Sequence, residues 1–461
     1  MATVTATIAR RRPPGPAGHP IWGSLGDLAK DPPRFYLDAH RRYGDVVSFR
    51  SLGPFRWYMV CHPEDIERIL RGPATTFPKD DFTTRNFRFL LGEGLFTSSG
   101  DFWLRQRRLA QPAFHRQRLA GLGAIMTAVA GAAVERWRSL AAEGRPVDVG
   151  AEMSRLTFQI VGQALFGLDI GDRQGEVTRA LAGAADFLEY RFRHPFDPPL
   201  ILPLPRHRRF QEARAAFDRV VYGIIAARRR LLAETGDAGA DLLALLLEAR
   251  DQETGEGMSD RQLRDEVITL LVAGHETTAV ALTWTWYLLS RHPQVEGALH
   301  DELAAVLGGR PPTPEDLPRL TYTRMVLDEA LRLYPPAYGL SRQTREAIEV
   351  RGYRLPAGAL IGLLQYVTHR HPDFWERPEE FDPERFTPAR SAGRPRFAYF
   401  PFGGGQRQCI GAGFAMMEAQ ILLATLAQGF RCLPASERPI EPDPQVTLRP
   451  RGGMPLLLRE R

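Results

Sequence analysis

The sequence predicts a mainly α-helical protein with small β-sheets. Three observations carry this. From about residue 101 onward, apolar residues recur at helical spacing over long stretches, as in "AIMTAVAGAAVERWRSLAAE" and "ARAAFDRVVYGIIAARRRLLAE". Strand-like runs are short: "DVVSFRSL" and "WYMVC" lie early, and "AIEVRGYRLPAGALIGLLQY" comes late. Strands and helices do not alternate along the chain, which argues against a parallel α/β sheet. The 461 residues therefore read as a single domain, with a β-rich lobe over about 1–95 and a helix-rich lobe over about 96–461.

The composition is that of a packed protein: 44% of residues are hydrophobic and 25% charged, which excludes disorder as the default. Cys61, Cys409 and Cys432 are the only cysteines. So odd and sparse a set makes no disulfide framework and suits a reducing cytosol. It also lacks the CxxC and Cys/His spacings of zinc sites. Net charge is +6, but no basic run is interleaved with aromatics, so nucleic acid is not an expected partner. The opening "MATVTATIARRRPPGPAGHP" has too short an apolar run for a signal peptide or a membrane anchor. The expectation is a cytoplasmic protein without an anchor.

Between two helical stretches lies "RHPFDPPLILPLPRHRRF", residues 193–210, with five prolines. Proline excludes a regular helix across it. It reads either as a stiff loop or as a lid that touches apolar ligands.

The segment "MSDRQLRDEVITLLVAGHETTAVALTWTWYLLSRHP" opens with a capping box, Ser259 with Gln262. Helical pattern then runs to about Arg291, apolar on nearly every side, which predicts a long buried helix. Gly274, His275, Glu276, Thr277 and Thr278 interrupt it. A zinc-protease HExxH would need histidine at position 279, where Ala279 stands. Two readings stand for this centre. The threonine hydroxyls bond back to the preceding turn and bend the helix, or Glu276 and Thr277 move protons in a dry cavity while Gly274 thins the helix beside a ligand. His275 is expected to be an ordinary helix-surface residue.

In "TYTRMVLDEALRLYPP", Glu329 and Arg332 share a helix side with Tyr322, Val326 and Leu333. Charges on an apolar side must be paired, and a spacing of three residues lets them meet. Arg385 in "FDPERF" is a candidate third member, giving a structural triad.

"FGGGQRQCIG" places Cys409 just before a helix that begins near Gly411. Helix N-termini favour a thiolate. Glycines let backbone amides approach sulfur, and Arg407 adds a cation. Neither GxGxxG nor GxxxxGK[ST] is present, so a phosphate loop is a poor reading. A solitary thiolate with no Cys or His nearby suits one axial bond to a metal whose other ligands arrive with a cofactor, and haem is such a cofactor.

Here the sequence resembles the cytochrome P-450 family. F-x-x-G-x-R-x-C-x-G is met by Phe402, Gly405, Arg407, Cys409 and Gly411. [AG]-G-x-[DE]-T-[TS] is met by Ala273, Gly274, Glu276, Thr277 and Thr278, E-x-x-R by Glu329 and Arg332, and W-x-x-x-R by Trp103 and Arg107. The resemblance implies that haem b binds with Cys409 as the iron ligand. It implies that Trp103, Arg107, Arg342 and Arg407 hold the propionates, and that Glu276 with Thr277 delivers protons to dioxygen. Leu90, Ala273 and Ala337 become candidates for the substrate pocket, with residues 193–210 as its lid. The implied activity is a monooxygenase that hydroxylates a hydrophobic compound (a fatty acid, terpenoid or carotenoid) with O2 and two electrons. Those electrons would come from a separate ferredoxin- or flavodoxin-type donor with its reductase. Arg105, Arg108, Arg116 and Arg118 are expected to form a basic docking face. A peroxide-driven peroxygenase of the same fold and a non-catalytic haem-thiolate sensor are the alternatives. The acid–alcohol pair argues against the peroxygenase, and the absence of room for an output domain against the sensor.

Overall fold

The structure is a computed structural model that describes residues 11–51, 53, 55–167, 174–194, 197–236, 241–251 and 253–461. The chain forms two compact units, each assembled from three segments.

The smaller unit combines the residues up to Thr83 with Ala337–Glu380 and Gly393–Cys409. At its centre is a four-stranded sheet. Val46–Arg50 pairs antiparallel with Arg56–Val60, which pairs parallel with Leu360–Leu363, which pairs antiparallel with Leu340–Gln343. Side chains alternate between faces with period two, and both faces are covered. Val46, Tyr58, Val60, Ile361 and Leu363 pack in one apolar cluster, while Val47, Phe49, Met59 and Cys61 pack in another. Trp57 stacks on Phe49 at 4.2 Å between ring centroids. The late strands of the sequence are thus the inner and outer partners of the early hairpin.

The larger unit holds residues 84–336, 381–392 and 410–461. Its axis is the helix Asp260–Arg291, opened by the expected capping box: Ser259 Oγ accepts from the Gln262 amide, and Gln262 Oε1 accepts from the Ser259 amide. Apolar residues on both sides of its polar centre are buried, among them Val267, Ile268, Leu282 and Trp284. This helix and Gln117–Ala142 are long and apolar enough to cross a membrane, but 67% of the most apolar stretch of Asp260–Arg291 is buried inside the protein. It is the core helix of a globular unit. Gly274 has a reason of its own: a Cβ there would stand 3.2 Å from Val161 of the helix Val149–Phe166. The Thr157 hydroxyl of that second helix donates to the His275 carbonyl at 3.0 Å. The glycine therefore serves helix–helix contact. Trp284 stacks on Tyr334 at 4.0 Å, and its indole N–H donates to the Leu448 carbonyl, fixing the strand Leu448–Pro450 beside the long helix. The helix Ala412–Gly429 is buried along most of its length.

Candidate active site

In the smaller unit the cysteine loop is closed by its own backbone. The Cys409 amide donates to the Phe402 carbonyl at 3.0 Å, the Gly403 amide to Phe400 at 2.9 Å, and the Gln408 amide to Gly405 at 3.1 Å. Gly403 and Gly405 both adopt φ of +67°, a region open to glycine at little cost. A Cβ on Gly405 would fall 2.0 Å from the Leu70 carbonyl oxygen, and one on Gly404 would fall 2.3 Å from the Phe397 ring. Close packing thus demands glycine at both positions. The loop's approach is fixed from behind, where the Phe400 amide donates to Nε2 of the fully buried His369 at 3.0 Å.

The three cysteines divide sharply. Cys61 and Cys432 are buried, and burial pushes both thiols well above their usual range. Such thiols are inert. Cys409 alone is exposed.

The same unit gathers positive charge. Arg342 lies on the strand Leu340–Gln343 opposite Ile361. Pro78 runs along the edge of that strand, its carbonyl accepting from the Gln343 amide at 2.9 Å. Next in the chain, Lys79 is pushed down to about 7, first by burial and then by Arg407 and Arg342, with Asp80 opposing. Burial likewise lowers Arg342. Asp80 accepts the Ser341 hydroxyl and the Thr83 amide. The three cations repel one another, and an anion joining them would relieve that repulsion. An exposed cysteine on a glycine-moulded loop, together with this excess of positive charge, fits a metal porphyrin that carries two carboxylates. Lys79 gave no signal in the sequence, where "PKDD" reads as an ordinary polar turn.

In the larger unit, Trp103 is buried on the helix Gly100–Ala110, and Arg107 follows one turn later, half-buried. Glu276 does not stand alone. Its Oε1 accepts the Thr447 hydroxyl at 2.5 Å and lies 2.9 Å from Nε and 2.7 Å from Nη2 of Arg449. Both threonine hydroxyls at the helix centre bond back one turn: Thr277 to the Ala273 carbonyl at 2.7 Å and Thr278 to Gly274 at 3.2 Å. Back-bonding and an engaged acid thus coexist. His275 is no surface residue, since its Nε2 lies 2.9 Å from the Ser154 hydroxyl and its ring meets Phe158 edge-on. Burial lowers it to about 4, so it is neutral at neutral pH.

Glu418, on the helix Ala412–Gly429, is fully buried. Burial raises its carboxyl well above the usual range, and neither carboxyl oxygen has a hydrogen-bond partner among the described residues. Burial thus favours the protonated form of an acid that lies near Thr278. The sequence signal was a glutamate inside the apolar run "FAMMEAQILLATLA".

The charged triad is assembled. Arg332 Nε and Nη2 lie 2.7 and 2.8 Å from the two oxygens of Glu329, and Arg385 Nε lies 3.2 Å from Oε1. The Asp382 amide adds a bond of 2.9 Å to Glu329. All three charged side chains are buried.

Among the pocket candidates, Leu90 is buried, with its carbonyl accepting from Arg264, Ala273 is exposed, and Ala337 is half-buried in the smaller unit. Of the Pro-rich segment 193–210, only the described residues between the helices Gln174–Arg193 and Pro205–Thr235 are non-helical. The expectation of no regular helix fails from Pro205 on, because a proline in the first helical turn is tolerated. Pro195 and Phe196 of this segment lie outside the described residues. Its Asp197 is buried and receives Arg191 at 3.2 Å, Arg206 at 2.5 Å and His207 at 3.2 Å. Ile201 is 88% exposed. Of the four arginines expected on a docking face, two are bound internally. Arg108 pairs with Asp251 and Glu253, and Arg105 donates to the carbonyls of Glu256 and Gly257. Arg118 is exposed, and the side chain of Arg116 lies outside the described residues.

Known proteins share this construction. The sequence model of the cytochrome P-450 family matches residues 13–457. Cyclooctatin synthase of Streptomyces melanosporofaciens is 40% identical over 96% of this chain and 95% of its own. Cyclooctat-9-en-7-ol 5-monooxygenase of the same organism is 38% identical over 91% and 89%. Pentalenene oxygenase of Streptomyces avermitilis is 34% identical over 94% and 92%. The crystal structure of a cytochrome P-450DA heme domain superposes with a TM-score of 0.88 over 98% of both chains at 30% identity.

Proposed function

The chain belongs to the cytochrome P-450 family, a haem-thiolate monooxygenase, and on that premise we propose that it hydroxylates an unactivated C–H bond of a cyclic terpenoid. The observation that carries the substrate class is the match to cyclooctatin synthase and cyclooctat-9-en-7-ol 5-monooxygenase over nearly the whole chain. Pentalenene oxygenase, a third terpenoid enzyme, follows.

Bound haem supplies O2 activation on a thiolate-ligated iron, with the sulfur donating electron density. Cys409 is the ligand. Its competence comes from exposure and from a loop whose glycines are required by close packing against Leu70 and Phe397. Lys79, Arg342 and Arg407 in the smaller unit, with Trp103 and Arg107 in the larger, would bind the propionates. Phe402 and Gly411 frame the loop. Propionate would offset the repulsion that Arg407 and Arg342 add to the burial already lowering Lys79.

Proton supply falls to Glu276 and Thr277. Arg449 and Thr447 hold Glu276 by Oε1, so Oε2 is the oxygen left to exchange a proton. The Thr277 hydroxyl can rotate away from the Ala273 carbonyl and pass that proton on. Leu90 and Ala273 are the larger unit's candidates for apolar contact with substrate, and Ala337 is the smaller unit's. Electrons reach the protein from a ferredoxin- or flavodoxin-type donor and its reductase, and the site of action is the cytoplasm.

The test is a spin-state titration of the haem-loaded protein with cyclic diterpenes, sesquiterpenes and fatty acids. Turnover under labelled O2 with a surrogate ferredoxin and reductase follows. Terpenoids are expected to shift the spectrum and gain one labelled oxygen. Shifts and products with fatty acids alone would overturn the substrate class. Cys409→Ser, expected to lose the red-shifted carbon monoxide band, checks the ligand.

A further inference from the structure

His40, Asp45 and His371 converge in the smaller unit. Nε2 of His40 lies 3.2 Å from Asp45 Oδ1, and Nε2 of His371 lies 2.9 Å from the same oxygen. The two rings stand 4.7 Å apart between centroids. Among the described residues, this is the group of His, Cys, Asp or Glu whose ligand atoms gather most closely, all within 4.8 Å of one another. We propose that His40, Asp45 and His371 form a divalent transition-metal site, suited to zinc, that fastens the N-terminal helix Pro32–Tyr43 to the segment after the helix Gln365–Thr368.

The ligand set is the first support. Two imidazole nitrogens and one carboxylate oxygen are the donors zinc takes in three-ligand sites, with water completing the shell. Around a tetrahedral zinc with bonds of about 2.0–2.1 Å, neighbouring donor atoms sit roughly 3.3 Å apart. The two N–O edges here are 3.2 and 2.9 Å, close to that spacing, and the three donor atoms as a group lie within 4.8 Å of one another, so the imidazole–imidazole edge is the one that insertion adjusts.

Protonation allows it. Burial alone would raise the Asp45 carboxyl, but hydrogen bonds from His371 and His40 hold it well below the usual carboxylate range. It is a standing anion. Without metal, each Nε2 carries the proton that Asp45 accepts. A metal on Nε2 leaves Nδ1 as the ring's hydrogen-bond donor. For His371 the receiving side is prepared: Nδ1 lies 4.0 Å from an Asp373 carboxylate oxygen, and only a 3.2 Å contact from the Asp373 amide must yield. A carboxylate behind a ligating histidine is the usual outer-shell support of zinc.

The surroundings are balanced in charge. Arg351 approaches Asp45 at 3.8 Å but is held by Asp65 at 2.7 Å, with Glu64 at 3.6 Å. The His62 ring stands 6.2 Å from His371 and uses Nδ1 to accept the Glu64 amide, so it stays outside the ligand set. Both histidines are buried, and Asp45 is partly exposed, which gives the ion a way in. This site is separate from the cysteine loop and independent of the substrate reading.

The experiment uses haem-loaded protein, stripped with EDTA, dialysed against low-micromolar zinc chloride and analysed for zinc and iron. Wild type is expected to retain one zinc per haem. His371→Asn and His40→Gln, which keep hydrogen bonds to Asp45, are expected to lose affinity by at least about tenfold, with the carbon monoxide spectrum unchanged. Zinc should raise the melting temperature of wild type and leave the variants unmoved. Should one variant fail to fold, the other and the wild-type melting shift still decide. No retained zinc in wild type, or equal zinc in the variants, overturns the proposal.

Discussion

Arg449 grips Glu276 through a single oxygen: Nη2 and Nε lie 2.7 and 2.9 Å from Oε1, which also takes the Thr447 hydroxyl. A carboxylate held by one oxygen presents the other in a fixed direction. Glu276→Gln keeps the shape and removes the exchangeable proton. Product formation is expected to fall about 100-fold or more, while haem content and substrate-induced spin shift stay as in wild type. Arg449→Met releases the grip but keeps the acid, so its product rate should lie between the two. Product per electron consumed is the measurement, and an unchanged ratio in Glu276→Gln would remove the acid from the proton path.

The buried triad predicts an all-or-none loss. Glu329→Ala leaves Arg332 and Arg385 buried without their shared carboxylate. Breaking a buried pair in this way costs about 3–5 kcal/mol. The variant is expected to accumulate without haem or to melt at much lower temperature, read by haem absorbance and thermal unfolding. Glu329→Gln, still able to accept from Arg332, should lose less.

The glycines of the cysteine loop predict a graded series. Gly403→Ala meets only backbone strain, since the nearest atom to its new Cβ is a leucine methyl at 3.4 Å. A residue forced into that conformation costs on the order of 1–3 kcal/mol. Gly405→Ala adds a clash 2.0 Å from the Leu70 carbonyl. Haem retention is therefore expected to fall in the order wild type, Gly403→Ala, Gly405→Ala. Equal retention in the two variants would show that the Leu70 contact relaxes freely.

His275 predicts a stability profile. Its folded value is about 4 against an ordinary 6.5. Between those values the unfolded chain binds the proton and the folded chain does not. Stability therefore rises with pH from about 4 to 6.5 and is flat above, as far as this group is concerned. The full swing is about 3 kcal/mol at 1.4 kcal/mol per pH unit. His275→Gln, which can still meet Ser154, should flatten that rise in denaturant titrations at pH 5 and 7. A slope unchanged from wild type would assign the acid sensitivity elsewhere.

Much of this architecture was legible because it rests on short-range rules. The capping box at Ser259 and Gln262, the all-round apolar helix behind it and the Glu329–Arg332 spacing are each decided within a few residues. What the chain hid is long-range. Arg449 lies 173 positions from Glu276, and nothing near either residue announces the pair. Lys79 becomes part of a cationic cluster only because Pro78 runs along a strand more than two hundred residues away in sequence. Gly274 could be read as room for a ligand in one of two readings, and the chain gave no sign that Val161 of a distant helix lies against it. For Arg105 and Arg108, two of the four arginines expected on a docking face, the sequence does not show that the turn around Asp251 folds back onto them. The β-rich region expected to end near residue 95 takes in residues 337–380 and 393–409 as well, since sheet partners are chosen by register rather than by proximity along the chain.

The sheet of the smaller unit sets a timetable for synthesis. The strand Arg56–Val60 pairs in parallel with Leu360–Leu363, some 300 residues downstream. At about 5–20 residues per second, a ribosome needs roughly 15–60 s to deliver that partner. For that interval the N-terminal hairpin waits with one edge unpaired, its faces covered only by neighbours such as Ala39 and Ile66 and not yet by Leu363 or Val367. The nascent chain is then most open to chaperones, and to mispairing with its neighbours on the same message.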